Sequence, residues 1–527
     1  MQSPNFLFII TDQQRHDHLG CAGNATVRTP HIDGIARRGV RFENFYVASP
    51  ICMPNRASIM TGRMPSSHGV RFNGIPLARD STTFVDVLRA GGYATALIGK
   101  SHLQNYTDLP VAPEQRELQD ELAPRAFKEA YRRSIVGPEY EMEREPNATR
   151  QGRMGGSRPF YGFDHVELCT RHGDMVQGHY RDWLEQRHPD SDALRDRANV
   201  IADERYSAPQ ARRTPIPESS YSTAYVAERT QAYLEDHARD SSNKPFFVQC
   251  SFPDPHHPYT PPGQYWDMYD PASIVLPASF EQKNLPPTIA YVHEQTRKLA
   301  HLDNPRMPFA VSPRHAQEIT ALTYGMISNV DAAVGKILAR LDELGMADNT
   351  VVIFTSDHGD FMGDRAIMLK GPLHYQGIAK VPFLWHEPRS ASAGRSVSAL
   401  GSSLDISSSV LARAGLAAYN GMQGQDLSGV IEGAIHSVRE QLLIEQDTQG
   451  ASFGFDGPVR ARTLINQQWR LSTYLGSDFA ELYNLERDPH EMENLWGKSP
   501  NQADLLHAMV QQMTELQTYS PHPTEYV

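Results

Sequence analysis

The chain has 527 residues, of which 40% are hydrophobic and 21% charged, and its formal net charge is −12. This composition is ordinary for a globular protein. No basic stripe stands out, so nucleic acid is not expected as a partner. The length exceeds what one hydrophobic core usually serves, so two domains of unequal size are expected.

The cysteines and the apolar runs bear on cellular location. Four cysteines are too few and too scattered for a disulfide framework, and no pair has metal-ligand spacing. A reducing compartment is therefore expected. Residues 6–10 form a short apolar run with neither a charged segment before it nor a cleavage site after it, which indicates a buried strand. No stretch is long enough to cross a bilayer, so we expect a cytoplasmic protein without membrane association; a processed chain that has lost a signal peptide is the alternative.

Short apolar runs alternate with helical patterns, which indicates an α/β fold with a large, mostly parallel central sheet flanked by helices. Strands are predicted at residues 6–10, 94–98, 245–250 and 351–355. In open α/β sheets, ligands bind beyond the carboxyl ends of the strands. We therefore expect the titratable residues that follow these strands to lie at one edge of one sheet: Asp12, Lys100, His102, His256, Asp357 and His358.

Two helices have clear start and stop signals. Residues 83–91 follow a polar stretch and end at a pair of glycines, and a second helix opens at Ser312-Pro313 and ends before Gly345. Residues 104 to about 213 are instead polar, highly charged and rich in Arg, Glu and Pro. We expect them to form a variable insertion, part loop and part helix, that shapes the mouth of a site.

The character of the chain changes near residue 385. Residues 387–394 predict a surface loop, and residues 469–474 and 481–485 predict strands of a smaller sheet. Residues 488–495 predict a turn that leads into a last helix. We expect one domain over residues 1–385, which includes the insertion, and a smaller subdomain over residues 386–527.

The most informative motif is Cys-Met-Pro-Asn-Arg at residues 52–56, followed by Thr-Gly-Arg at residues 61–63. It resembles the signature of type I sulfatases of the alkaline phosphatase superfamily. In that family a formylglycine-generating enzyme oxidises the cysteine to formylglycine, and the hydrated aldehyde is the nucleophile. Alone, the motif is also compatible with a buried free thiol in a turn. The decision depends on whether the chain also supplies a metal site, cations and acid/base groups.

A metal site is indicated by carboxylates at predicted strand ends, because hard cations prefer carboxylate oxygen. Asp12 or Asp357 alone is as compatible with a helix cap or a turn. Together with Cys52 and His358 they match the sulfatase metal set, and Gln13 stands where many members have a second Asp. The Asp-Gln and Asp-His pairs resemble choline sulfatases and phosphonate monoester hydrolases. The resemblance implies one divalent ion, calcium by family habit, with manganese, magnesium or zinc as alternatives.

Further motifs match the family's substrate-binding and proton-transfer elements. Lys100 and His102 match a Gly-Lys-x-His element, in which Lys100 would bind sulfate oxygens and His102 would act on the formylglycine hydroxyl. His256 lies in a loop that resembles the family's Pro-His-x-Pro loop and would protonate the leaving group, although the register could slip to His257. Lys370 matches a second sulfate-binding lysine.

Two more residues complete the predicted site. Arg56 lies four residues after Cys52, about one helical turn, and would orient the hydrated aldehyde. Asn73 aligns with a substrate-oxygen contact of the Asp-Gln subgroup, and a role in a turn is as compatible with its position.

The resemblance covers residues 4–495, except for the insertion. It implies an alkaline-phosphatase-like fold with a C-terminal α+β subdomain that contains a small antiparallel sheet, and an arylsulfatase-like sulfuric ester hydrolase acting on a small-molecule sulfate ester. A homo-oligomer, either a dimer or a tetramer, is expected. One alternative is a phosphonate monoester hydrolase or phosphodiesterase with promiscuous sulfatase activity, and the other is an inactive glycan-binding pseudo-sulfatase.

Overall fold

The computed structural model describes residues 3–106, 137–145, 147, 159–298, 307–388 and 390–517. Part of the predicted insertion after residue 104 therefore lies outside the described residues. The strands are β1 (Asn5–Thr11), β2 (Val40–Tyr46), β3 (Ala94–Gly99), β4 (His165–Thr170), β5 (Gln177–Gly178), β6 (Phe246–Ser251), β7 (Phe309–Ala310), β8 (Thr350–Ser356), β9 (Ile367–Met368), β10 (Phe383–His386), β11 (Arg395–Ser402), β12 (Gln441–Ala451), β13 (Pro458–Asn466), β14 (Trp469–Tyr474) and β15 (Ala480–Asn484). The α-helices are α1 (Pro30–Arg38), α2 (Cys52–Thr61), α3 (Pro65–His68), α4 (Phe84–Ala90), α5 (His179–Arg187), α6 (Ser191–Arg195), α7 (Ser222–Arg239), α8 (Pro287–Lys298), α9 (Pro313–Glu343), α10 (Gln376–Ala379), α11 (Asp405–Arg413), α12 (Ser428–Glu432) and α13 (Gln502–Gln517).

Nine strands form one large sheet in the order β11, β2, β10, β8, β1, β6, β3, β4, β5. The five adjacent strands β8, β1, β6, β3 and β4 run parallel to one another. β10 is antiparallel to both β8 and β2, β11 is parallel to β2, and β5 is antiparallel to β4. The predicted large, mostly parallel sheet flanked by helices is therefore confirmed.

The central strand β1 shows why the sheet is covered on both sides. All seven of its residues are buried. Successive side chains of a strand point to opposite faces, and accordingly Phe6 and Phe8 join one apolar cluster while Leu7 and Ile9 join the other. A strand buried on both faces carries an uninterrupted apolar run instead of an alternating pattern, which explains the run at residues 6–10.

The two predicted helices have the expected caps. In α4, the Thr83 hydroxyl accepts a hydrogen bond from the backbone of Asp86, whose carboxylate accepts one from the backbone of Thr83. In α9, the Ser312 hydroxyl accepts a hydrogen bond from the backbone of His315, and Pro313 opens the helix. These caps satisfy backbone donors that the first turn of a helix leaves unpaired.

A second sheet contains four antiparallel strands, β12 to β15 in chain order, which confirms the predicted smaller sheet. Arg470 on β14 is fully buried and bonds to Glu491. Its guanidinium lies 4.7 Å from the ring centroids of both Tyr375 and Tyr483. Tyr375 directly precedes α10, so Arg470 joins the small sheet to a loop at the edge of the large one.

The segment expected to be loop and helix also contributes two strands, β4 and β5, to the large sheet. The first half of β4 carries His165 and Glu167, and Glu167 pairs with Arg229 of α7. Because charged residues occupy a sheet position here, β4 lacks the apolar run by which the other strands were predicted.

The C-terminal part also differs from the expectation in detail. The last helix, α13, begins at Gln502, well after residues 488–495. β11 and α11 follow residue 385, yet β11 pairs with β2 in the large sheet and α11 lies against α2 and α4. The division into residues 1–385 and 386–527 stays a prediction. Among the helices of the described ranges, none combines the length and the apolar character that a membrane crossing requires.

Candidate active site

Loops that follow the parallel strands bring the predicted residues to one edge of the large sheet. Asp12 directly follows β1, Lys100 directly follows β3, and Asp357 directly follows β8. His256 lies in the loop after β6. Because parallel strands all end at the same edge, these loops meet there.

Four donor groups form a compact buried cluster. Asp12, Cys52, Asp357 and His358 each offer one ligand atom, and these atoms lie within 4.8 Å of one another. His358 Nε2 lies 3.1 Å from Cys52 Sγ and 3.7 Å from Asp12 Oδ1. Two carboxylates suit a hard divalent cation, and an imidazole also suits manganese or zinc. The donor set therefore fits a single divalent ion.

Gln13, the fifth predicted ligand, lies beside this cluster. Its φ is 67°, and its backbone N–H donates to Asp357 Oδ1 at 3.1 Å. Its side-chain amide donates to Asp360, and its carbonyl oxygen accepts from Lys370. Gln13 thus connects the cluster to Lys370, and its role as a ligand stays a prediction.

Asp357 is fixed by residues of helix α2. Arg56 Nε donates to Asp357 Oδ2 at 2.7 Å, and the two side chains are 3% and 0% exposed. Asn55 Nδ2 donates to the Asp357 carbonyl at 2.7 Å. Arg56 Nη1 also donates to the Lys100 carbonyl at 2.9 Å, and within the described residues Nη2 has no partner. Arg56 therefore holds Asp357 and the loop after β3 in place. Its contact with the hydrated aldehyde stays a prediction.

Cys52 is the first residue of α2, and it is buried. The next backbone N–H, that of Met53, donates to Asn73 Oδ1 at 3.0 Å, so Asn73 caps the start of the helix. The predicted contact of Asn73 with substrate stays a prediction. Burial raises the pKa of the Cys52 thiol, but the charges of Lys100 and Lys370 outweigh burial and leave that pKa below its ordinary value. Residue 52 therefore lies where a negative charge is favoured.

Lys100 is fully buried and donates to Asp12 Oδ2. Its Nζ lies 3.0 Å from His172 Nε2, which is 3.2 Å from the same Asp12 oxygen. Burial alone would raise the pKa of Asp12, but the charge of Lys100 holds it well below its usual range. The aspartate is therefore ionised and ready to bind a cation.

His102 adopts a left-handed backbone conformation with a φ of 58°. Its backbone N–H donates to Glu143 Oε2 at 2.8 Å, and its ring stacks on Tyr106 with a centroid distance of 4.1 Å. Burial and the charge of Lys100 hold the pKa of His102 well below its usual range. Nε2 has no hydrogen-bond partner in the part of the chain that the structure describes. The imidazole is therefore neutral, with one nitrogen able to accept a proton.

His256 and His257 lie side by side in the loop after β6. His256 Nδ1 lies 2.7 Å from the His257 carbonyl and donates to it, while Nε2 lies 3.0 Å from Lys370 Nζ. His257 Nδ1 instead lies 3.4 Å from the side-chain nitrogen of Gln13. Burial and the neighbouring His172 hold the pKa of His256 well below its usual range. Of the two histidines, His256 is the one that faces the predicted sulfate-binding lysine.

Sequence reasoning missed three residues that the structure places at the site, namely Tyr106, Glu143 and His172. All three lie in the segment expected to shape the mouth of the site. His172 follows β4, so the strand-end rule would have found it if β4 had been predicted. Tyr106 and Glu143 carry no local signal, because their positions depend on how the segment folds.

Two family profiles match the chain. The profile described as Sulfatase matches residues 4–416, and the one described as N-sulphoglucosamine sulphohydrolase, C-terminal, matches residues 369–519. Together they span both the large sheet and the small one.

Three individual proteins are similar over most of their length. The arylsulfatase of Clostridium perfringens is 27% identical over 499 residues, which cover 93% of this chain and 90% of the relative. The choline-sulfatase of Rhizobium meliloti is 26% identical over 495 residues, which cover 93% of this chain and 82% of the relative. The crystal structure of the phosphonate monoester hydrolase of Agrobacterium radiobacter superposes with a TM-score of 0.75 at 25% identity, covering 98% of this chain and 95% of that one.

The surroundings of Glu143 predict a pH-dependent contribution to stability. Its carboxylate accepts backbone N–H bonds from His102, Leu103 and Gln104 at 2.8 to 2.9 Å, and burial raises its pKa to about 7. This pKa lies above the unfolded value near 4.3. The contribution of Glu143 to the free energy of unfolding is therefore fully present below about pH 4 and is lost as the pH rises through 7. The free energy of unfolding of wild type minus that of Glu143→Gln should fall by ~2–3 kcal/mol between pH 5 and pH 8.

Urea unfolding at the two pH values measures this difference. Glu139→Gln, an exposed glutamate in the same short segment, is the control and should show no such change. If the difference in free energy of unfolding between wild type and Glu143→Gln is the same at both pH values, Glu143 is ionised at both.

Proposed function

Because the chain belongs to the sulfatase family, we propose that it hydrolyses sulfate monoesters, with residue 52 as the nucleophile after conversion of Cys52 to formylglycine. The observation that carries this proposal is what surrounds Cys52 Sγ. The atom belongs to the cluster of metal-ligating groups, and the charges of Lys100 and Lys370 lower its pKa. Transfer of an anionic group requires a nucleophile, a cation site and positively charged side chains that face the anion, and all three are supported here.

When bound, a divalent ion held by Asp12, Asp357 and His358 would polarise the sulfate group, and a hydrated formylglycine would supply one hydroxyl to attack sulfur and a second to release sulfate. The protein's own side chains supply the remaining functions. Lys100 and Lys370 neutralise the non-bridging oxygens of an ester that carries one negative charge.

His102 and His256 divide the proton transfers. The neutral His102, with Nε2 available, is the base that accepts a proton from a hydroxyl of residue 52. His256 is the acid that protonates the leaving oxygen through Nε2, since Nδ1 is engaged by the His257 carbonyl. The negative charge of a bound ester opposes the burial that lowers the pKa of His256, so substrate binding favours the protonated imidazole.

The choice between sulfate and phosphonate esters depends on Lys100 and His102. The family resemblance implies that phosphonate hydrolases lack this pair, whereas here both side chains are buried at the site. The relatives named arylsulfatase and choline-sulfatase support sulfate esters. The fold shared with a phosphonate monoester hydrolase, together with Gln13 and His358, supports phosphonate ester hydrolysis as a secondary activity.

A substrate panel tests this choice. We expect kcat/KM for 4-nitrophenyl sulfate to exceed that for 4-nitrophenyl phenylphosphonate by at least about tenfold, because Lys100 and His102 favour the sulfate ester. Sulfate release from choline sulfate and from a sugar sulfate would then identify the alcohol. Preferential turnover of the phosphonate would reverse the assignment. Failure of formylglycine-containing protein to turn over any substrate would support the glycan-binding alternative.

Residue 52 gives a second test. Cys52→Ala should abolish turnover with little change in Tm, because it removes the nucleophile. Cys52→Ser should be severely impaired, because serine has no second hydroxyl on the same carbon with which to release sulfate. Cys21→Ser, at a half-buried cysteine outside the metal-ligating cluster, is the control and should keep full activity.

Mass spectrometry of the tryptic fragment 42–56 reports whether residue 52 is an aldehyde. Unmodified cysteine in active protein from the native host, or near-native multiple turnover by Cys52→Ser, would contradict the formylglycine mechanism.

Metal content is the third test. We expect one divalent ion per chain by elemental analysis, and loss of that ion in Asp357→Asn, because a neutral amide binds a hard cation less well than a carboxylate. Asp17→Asn, which changes a more exposed carboxylate five residues after Asp12, is the control and should retain the ion. Retention of full metal content by Asp357→Asn would exclude this cluster as the site.

Two features of the cellular context are also proposed. Formation of formylglycine requires a formylglycine-generating enzyme as a partner during maturation.

The four cysteines are all free, which supports a reducing compartment such as the cytoplasm. The dimer or tetramer stays a prediction.

A further inference from the structure

One half-buried histidine at the site has no role in the proposed chemistry. His172 Nε2 lies 3.0 Å from Lys100 Nζ, 3.2 Å from Asp12 Oδ2 and 3.3 Å from the Tyr106 hydroxyl. Its ring stacks on that of His256 with a centroid distance of 3.6 Å and an interplanar angle of 14°. His172 therefore touches both a lysine proposed to bind sulfate and the histidine proposed to protonate the leaving group.

The backbone around His172 is shaped for this contact. Arg171 and Gly173 on either side of it have φ values of 63° and 56°, in the left-handed region. A Cβ on Gly173 would lie 2.9 Å from the Pro258 side chain. Only glycine therefore lets the loop after β4 approach the loop of His256 this closely without strain.

His256 is enclosed by rings on both faces. His172 stacks at 3.6 Å and His257 at 4.0 Å between centroids. Two rings stacked this closely cannot share one face of the His256 ring, so the imidazole lies between them. With Nδ1 held by the His257 carbonyl, the remaining freedom of the ring is small, and Nε2 is left as the atom that can accept and deliver a proton.

We propose that His172 is a positioning residue whose ring holds the His256 imidazole in line with the leaving oxygen of the substrate. The proposal rests on the proposed function, because it takes His256 as the general acid. The proposal gives the segment after residue 104, which was expected to shape the mouth of the site, a part in the chemistry as well.

The leaving group separates this role from an effect on sulfate binding. Protonation by a general acid matters most when the leaving alcohol is weakly acidic, so phenyl sulfate depends on His256 more than 4-nitrophenyl sulfate does. Misalignment of His256 therefore slows phenyl sulfate selectively. A change that acts through Lys100 instead slows both aryl sulfates alike.

Two variants separate the stacking of the His172 ring on His256 from the polar contacts of His172 with Lys100 and Asp12. His172→Gln keeps a polar group toward Lys100 and Asp12 but removes the ring, and His172→Phe keeps the ring but removes the nitrogen. We expect His172→Gln to lower kcat for phenyl sulfate at least about tenfold more than for 4-nitrophenyl sulfate, as loss of general-acid alignment should. His172→Phe should keep the ratio of the two kcat values within about twofold of wild type.

Added controls keep the test specific. His188→Gln, at a histidine whose Nε2 lies 2.8 Å from Ser220 Oγ, should leave both rates unchanged. In a His256→Ala background, His172→Gln should not change the ratio further, because residues that act as a unit are not additive. The Tm of each variant reports whether it is folded.

A wild-type ratio in His172→Gln, or an equal change of the ratio in His172→Phe, would overturn the proposal. Absence of sulfate ester turnover by wild-type protein would instead overturn the proposed function. In that event the ratio of the two kcat values is measured with the 4-nitrophenyl and phenyl esters of phenylphosphonate, whose leaving groups need the same acid. A wild-type ratio in His172→Gln, or an equal change in His172→Phe, then overturns the proposal in the same way.

Discussion

The buried ion pair between Arg56 and Asp357 is the interaction on which the rest of the site depends. Asp357 directly follows β8, the strand beside β1, and Arg56 lies one turn into the helix that begins at residue 52. The pair therefore fixes the distance between the sheet edge and residue 52, the proposed nucleophile. Hydrogen bonds to the remaining donors and acceptors help to offset the desolvation of a buried ion pair. Here the backbone of Gln13 and the Lys100 carbonyl supply such partners, while Arg56 Nη2 has none among the described residues.

This pair belongs to a larger balance of buried charge. Asp12 and Asp357 bring negative charge to the sheet edge, and Lys100 and Arg56 bring positive charge, all in a chain whose net charge is −12. These four charges cancel, so in this acidic protein the remaining positive charge of the described site that can face an anionic ester is that of Lys370. The buried histidines His102 and His256 add no fixed charge to this edge, because burial lowers the pKa of both.

Much of this arrangement could be predicted from the sequence because the signals were local. Apolar runs buried on both faces identified β1, β3, β6 and β8, and the polar residues directly after them are the ones that meet at the sheet edge. β4 was missed because charged residues interrupt its apolar run, among them Glu167, which pairs with Arg229 of α7. His172, which follows β4, was missed with it. The cap formed by Asn73 and the anchor formed by Glu143 could not be derived, because both depend on contacts between segments that are distant in sequence.

The small C-terminal sheet also supports the site, although its strands supply none of the predicted site residues. His374 Nδ1 lies 2.8 Å from Thr463 Oγ1, 89 positions later in the chain, and a Cβ on Gly371 would lie 2.3 Å from the Phe453 ring. The loop that carries Lys370 is therefore shaped by residues that leave the ribosome long after it does. The helix that begins at residue 52 is synthesised before the small sheet that shapes the Lys370 loop, so a nascent chain completes this edge of the large sheet only after residues of the small sheet have been made.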